Sequence, residues 1–231
     1  MMIKLFCFPY AGGSSFFYYK WKNKLKNINV IPIEYPGRGS KMSEELLGDM
    51  DALVTNIYSE YIDDFSGSYA FFGHSLGAQV SFDLLHLIKQ NAKQLPQQLF
   101  ISGRKSPEKS GGDINYLLPD NELLINLQQL GGRVEHLLND DELRQLYLPV
   151  LKADLDISQH CITARTQNPT KLDVPFAILA GKNDEMDSFE NMKDWELLTE
   201  KCTFHILDGG HFFVEDSEQE VLDIINSYLG A

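Results

Sequence analysis

The chain has 231 residues, 43% hydrophobic and 23% charged, and a formal net charge of −13. That length suits one well-buried α/β domain and is short for two, and no apolar run approaches the ~20 residues that span a bilayer. The acidity argues against nucleic acid as a general partner, although it is uneven: residues 1–41 carry seven Lys/Arg against one acid, and the remainder 13 against 32.

Taken in chain order, Met1–Tyr10 holds one Lys and a short apolar stretch and lacks a signal-peptide cleavage site. It reads as the first core strand, Ile3–Phe8, of a cytoplasmic protein. Lys20, Lys22, Lys24 and Lys26 follow. Residues two apart lie ~200° around a helix, so these lysines divide between two sides and read as a solvated helix rather than a docking patch. A second strand is expected over Val30–Glu34 and a helix over Glu44–Tyr61. Strand Tyr69–Gly73 leads directly into helix Leu76–Gln90, and strand Leu99–Gly103 comes next. Beyond a long break come strand Phe176–Gly181, helix Phe189–Thr199, strand Thr203–Leu207 and helix Glu218–Leu229.

The strand candidates are mostly unbroken apolar runs, as expected where both faces of a parallel sheet are covered. Their alternation with helices predicts a mostly parallel, doubly wound α/β sheet within a single domain, 1–231. The break, about 105–169, holds no strand candidate. It carries amphipathic helices over Asn121–Leu130, ended by Gly131-Gly132, and over Asp140–Leu151, whose acidic first turn suits the helix dipole. A lid over the carboxyl edge of the sheet is the expectation; extra core helices without a gating role are the plain alternative. Cys7, Cys161 and Cys202 are scattered with no CxxC pair, so free thiols are expected. The six histidines lack ligand spacing, so no metal is expected.

The sharpest chemical signal is Gly73-His74-Ser75-Leu76-Gly77. A GxSxG pattern alone is weak, but here a buried strand enters it and a helix leaves it, which is the context of a nucleophile elbow. Ser75 is the candidate nucleophile; a capping serine in an ordinary strand-to-helix turn is the alternative. His211, in Asp208-Gly209-Gly210-His211 after the last strand, is the candidate base. His205 and His86 fall inside a strand and a helix, His136 and His160 in the insertion, and His74 is held by the elbow. The third member should be an acid after strand Phe176–Gly181. Asp184 fits the order Ser, Asp, His, with Asp187, Glu185 and Asp208 open as alternatives. A glycine-rich turn after the first strand, Phe8 to Ser15, is where an oxyanion hole would form. Its amide donors are assigned to Ala11 and to Leu76, the residue after the nucleophile.

These motifs together resemble type II thioesterases of the α/β-hydrolase fold: Phe8-Pro9-Tyr10-Ala11-Gly12-Gly13, Tyr35-Pro36-Gly37-Arg38-Gly39, the serine pentapeptide and Gly209-Gly210-His211-Phe212-Phe213. Leu130-Gly131-Gly132 and Leu148-Pro149-Val150-Leu151-Lys152-Ala153-Asp154 fit as well. The resemblance covers nearly the whole chain. It implies hydrolysis of acyl or aminoacyl thioesters on the phosphopantetheine arm of acyl or peptidyl carrier proteins, as stand-alone partners of nonribosomal peptide and polyketide synthases. It implies no cofactor, the phosphopantetheine belonging to the substrate, and a monomer without membrane attachment. Arg133-Val134 stands where the family often has Thr-Pro, and Leu155 and His160-Cys161 where relatives tend to be aromatic and acidic. These departures bear on acyl preference rather than on the chemistry.

Overall fold

The computed structural model describes residues 2–109, 114–160 and 171–230. Strand β1 (Ile3–Phe8) is followed by the short helices α1 (Phe16–Tyr19) and α2 (Trp21–Lys24), then β2 (Ile28–Pro32) and α3 (Met50–Tyr61). Next come β3 (Tyr69–His74), α4 (Leu76–Gln90) and β4 (Gln98–Ser102). The insertion supplies α5 (Asp120–Gln129), α6 (Glu135–Asn139) and α7 (Asp141–Gln159). The chain then returns through β5 (Phe176–Gly181), α8 (Phe189–Met192), β6 (Cys202–Leu207), α9 (Phe213–Asp216) and α10 (Glu218–Leu229).

The six strands form one sheet in the order β2-β1-β3-β4-β5-β6, and all five pairings are parallel. β3 is buried at every position, as are β4 and β5, which is why these segments read as continuous apolar runs. One face packs Phe6, Phe71, Leu99 and Ile178 against α3 and α4. The other packs Leu5, Phe72, Phe100 and Leu179 against α1, α2 and α10. The sheet is therefore covered on both sides, and its strand order reverses between β1 and β3. Crevices beyond the carboxyl ends of strands at such a reversal are where open α/β sheets bind ligands.

Several expected boundaries shift. Helix α3 begins at Met50 rather than at 44, because the Asp49 side chain accepts from the Ala52 amide and caps it. The expected Phe189–Thr199 helix is one α-turn followed by a 3-10 segment, Lys193–Leu198. Helix α7 does not stop at Leu151. It continues through Pro149 to Gln159, burying Leu148, Val150, Leu151, Asp154, Leu155 and Ile157. The basic N-terminal run is not one solvated helix either: α2 ends at Lys24, and Lys20 and Lys24 both pair with Glu218 on α10.

The insertion has two parts. Helices α5 and α6 bury Leu123, Leu124, Leu127 and Leu137 in a cluster of their own, which Leu148, Leu151 and Leu155 of α7 complete. Ile157, further along α7, joins the main core beneath the sheet. Among the described residues no helix is long and apolar enough to cross a membrane. Cys7 is buried and Cys202 half-buried, both as free thiols; Cys161 lies outside the described residues.

Candidate active site

The turn between β3 and α4 forces Ser75 into φ 54°, ψ −117°. A non-glycine residue held there is strained, and such strain persists only where its surroundings over-determine it. The surroundings are the two flanking glycines. A methyl group on Gly73 would sit 2.1 Å from the Gly77 carbonyl oxygen, and one on Gly77 would sit 2.1 Å from that of Phe8. Strand, helix and β1 thus meet at a point that admits no side chain, and Ser75 is lifted to the end of the sheet. Ser75 holds the N-cap position of α4, yet its side chain makes no capping hydrogen bond. Among the described residues the hydroxyl has no hydrogen-bond partner, unlike that of an ordinary capping serine.

Beyond β5, Asp184 is buried, and its two carboxylate oxygens have separate tasks. Oδ1 accepts from the amides of Met186 and Asp187, each at 2.9 Å. Oδ2 lies 2.9 Å from His211 Nδ1. Burial raises the Asp184 pKa, but the hydrogen bond and charge of His211 outweigh it, so the carboxyl titrates below its ordinary value. An ionised carboxylate can only accept, so Nδ1 carries the proton and donates to it, and Nε2 is the nitrogen left to act as base. Burial pulls His211 down, but Asp184, with a smaller contribution from Asp187, holds the imidazole above its ordinary value.

The alternative acids fall away on geometry. Asp187 comes only to 4.0 Å of His211 Nδ1, and its other oxygen accepts from the Lys105 amide at 2.8 Å. Glu185 is exposed. Asp208 is exposed and faces Lys182 at 3.6 Å; only its backbone carbonyl braces the loop, by accepting from Ser217. His74 is fully buried with Nδ1 2.9 Å from Ser102 Oγ, and its ring centroid lies 5.2 Å from that of His211. Burial, and then the neighbouring His211, lower its pKa, so it packs beneath the base as a neutral ring.

The turn after β1 completes the arrangement. The Gly13 amide donates to the Tyr10 carbonyl at 2.9 Å, and the Gly12 amide donates to Asp154 Oδ2 at 2.7 Å. Among the described residues the amides of Ala11 and Leu76 have no hydrogen-bond partner. Gly12 adopts φ +73°, a conformation open to glycine at no steric cost.

Ser75, His211, Ala11 and Gly12 line one cavity of about 270 Å³. Its outer wall is the insertion: Leu127, Val134 and Leu137 from α5, α6 and the turn between them, and Leu151 and Leu155 from α7. Arg104, Ser158 and Gln159 give one side a polar lining, and two guanidinium bonds tie Arg104 to Ser158, each at 2.9 Å. Arg133 pairs across the rim with Glu215 and Asp216, and Glu215 also accepts from the Tyr10 hydroxyl at 2.8 Å.

Two groups here had no role assigned from sequence. Arg38 and Asp154 form a buried bidentate pair, in which Nη2 donates to Oδ1 at 2.7 Å and Nη1 donates to Oδ2. Removing one partner of such a pair costs roughly 3–5 kcal/mol. The signal was present: at 100° per residue Asp154 falls inside the apolar arc of α7, between Val150 and Leu151, and a buried carboxylate requires a partner.

A family model described as a thioesterase domain matches residues 3–229. The gramicidin S biosynthesis protein GrsT of Aneurinibacillus migulanus is 32% identical over 98% of this chain and 89% of its own. The crystal structure of ClbQ, from the colibactin NRPS/PKS pathway, superposes with a TM-score of 0.90 at 30% identity, covering 98% of this chain and 96% of that one. The type II thioesterase BorB, from the borrelidin biosynthetic cluster, does so with 0.86 at 27% identity, over 100% and 92%. This chain therefore belongs to the thioesterase family, with the α/β-hydrolase fold, and is a thioester hydrolase.

Proposed function

We propose that the enzyme hydrolyses acyl or aminoacyl groups held as thioesters on the phosphopantetheine arms of carrier proteins, in nonribosomal peptide or polyketide biosynthesis. One observation carries the catalytic half of this reading. An uncommitted Ser75 hydroxyl, on a strained elbow, opens into the same cavity as His211, whose far nitrogen is fixed by a buried, ionised Asp184. The biosynthetic context is supported by ClbQ, which comes from an NRPS/PKS pathway, and by GrsT and BorB, which are named for gramicidin S biosynthesis and the borrelidin biosynthetic cluster.

Ser75 Oγ attacks the thioester carbonyl while His211 Nε2 takes its proton, and Asp184 stabilises the resulting imidazolium. The carbonyl electron pair moves onto oxygen, where the amides of Ala11 and Leu76 donate to it. Collapse expels the pantetheine thiolate, which takes the proton from His211 and leaves an acyl ester on Ser75. Water, deprotonated by His211, attacks that ester, and the carboxylic acid departs as Ser75 recovers its proton. No cofactor enters either half-reaction. The apolar wall of the cavity receives the acyl chain, and the Arg104–Ser158–Gln159 side accommodates polar substituents.

The test is mass spectrometry of carrier proteins loaded with different acyl groups, before and after addition of enzyme. The expected result is loss of the acyl mass from the phosphopantetheine, faster than from the same acyl group on a short pantetheine analogue. Preference for a simple oxygen ester, with no gain from the carrier, would replace this reading by a small-molecule esterase.

A further inference from the structure

The oxyanion turn is held by the insertion rather than by the sheet alone. Asp154 lies on α7 with its side chain 1% exposed, and three groups converge on it: the Gly12 amide at 2.7 Å and the two terminal nitrogens of Arg38. Arg38 Nη1 also donates to the Gly13 carbonyl at 3.3 Å. The Ala11–Gly12 peptide is thereby fixed through its N–H and the Gly13–Ser14 peptide through its C=O. One turn earlier on α7, Leu151 closes on the same residue: a methyl on Gly12 would lie 2.9 Å from its Cδ1. From the other side, Glu34 accepts from the Ser15 amide at 3.0 Å and from its hydroxyl at 2.7 Å, anchoring the end of the turn.

We infer that Asp154 and Arg38 are positioning residues for the reaction, aiming the Ala11 amide at the oxyanion by clamping Gly12 and Gly13 to helix α7. The inference rests on the reading of Ala11 as an oxyanion donor. Two physical consequences follow. Gly12, with its own amide occupied, is not the donor; its bond to Asp154 sets the plane of the Ala11–Gly12 peptide and so the approach of the turn. Arg38 is also needed for charge, since a bare Asp154 carboxylate one peptide from the developing oxyanion would oppose it. A clamp of this kind acts on the transition state, where the oxyanion forms, and little on ground-state binding, so it should appear in kcat and not in KM.

The experiment compares Asp154→Asn, Arg38→Met and the double variant Arg38→Met/Asp154→Leu, with thermal melting beside kcat and KM. Replacing both members of a buried pair by apolar groups of similar volume is often neutral for stability, so the double variant separates positioning from folding. The expected result is a folded double variant with kcat about 100-fold down, the scale of one lost oxyanion donor, and KM within about threefold. Fluorophosphonate labelling of Ser75, which passes through a similar charged phosphoryl oxygen, should slow in parallel. Arg38→Met alone should be at least as damaging as the double variant. Full kcat in a folded double variant would overturn the inference, as would loss of the fold in both it and Asp154→Asn, because the pair would then be structural only. Ser75→Ala is run beside them: activity surviving there would sink the triad reading itself, whereas an inactive Ser75→Ala next to a fully active pair variant would sink only the clamp.

Discussion

The groups at the ends of the strands and the groups contributed by the insertion are held by different physics. Ser75, Asp184 and His211 sit on turns fixed by backbone: a strained elbow, a carboxylate gripped by two amides, a loop packed at the sheet edge. The cavity wall is side chains on helices α5 to α7, packed mainly in a separate leucine cluster. The first kind of placement tolerates almost no change at its glycines. The second can be repacked. Helix α7 belongs to both, with Leu151 and Leu155 in the wall, Ile157 in the main core and Asp154 bonded to the Gly12 amide of the turn after β1.

The largest effects should therefore come from the strand ends. Asp184→Asn should leave the melting temperature close to wild type and lower kcat by about 10⁴-fold, through loss of imidazole orientation and charge stabilisation. Asp187→Asn should cost less than tenfold, since Asp187 is bonded to the Lys105 amide and not to His211. Steady-state kinetics on a loaded carrier decides between them, and a reversed order would move the acid to Asp187.

A smaller effect concerns pH. His211 must be neutral to accept the serine proton, and its pKa lies above the ordinary ~6.5. Activity should fall as pH drops through that raised value, so the acidic limb of kcat/KM should lie above pH 6.5. The Asp187 carboxylate contributes to the elevation, so Asp187→Asn should move the limb to lower pH. A limb that stays fixed in that variant would show that Asp187 is electrostatically silent.

Hydrogen exchange sharpens the contrast within the insertion. Amides of α5 and α6 should exchange faster than those of β3 to β5, as expected of a lid drawn from the less stable parts of a fold. Those of α7 beyond Leu151 should be protected nearly as well as the sheet. A covalent acyl mimic on Ser75 should slow α5 and α6 and leave α7 little changed. Uniform protection of all three helices, with or without the mimic, would favour plain core helices. The smallest expected effect is that of salt. Lys20 and Lys24 are occupied by Glu218, so moderate salt should leave kcat/KM for an acyl-carrier unchanged or slightly raised. A steep fall would point to a basic docking patch.

This division also marks what could be read from the sequence. Buried parallel strands announce themselves as apolar runs, and the Gly73–Gly77 elbow is legible because only glycine fits where backbones touch. Chain order favours Asp184 with Asp187 open beside it: the two are three residues apart, and only the turn decides which carboxylate faces His211. The sequence carries α7 past Pro149 but ends it at Leu151, because the turns beyond bury the charged Asp154 beside Leu155 and Ile157 and so break the apolar pattern by which a helix is read. The Arg38–Asp154 pair joins residues 116 apart in sequence, a contact no local pattern encodes, although Asp154 within an apolar arc was a visible anomaly.

In the proposed mechanism Ser75 carries the acyl group between the two half-reactions. Rapid-quench intact mass spectrometry during turnover of an acyl-carrier, followed by peptide mapping, tests it directly. A transient gain equal to the acyl mass is expected on the peptide containing Ser75, lost in Ser75→Ala together with all hydrolysis. Acylation at another residue, or undiminished turnover by Ser75→Ala, would contradict it.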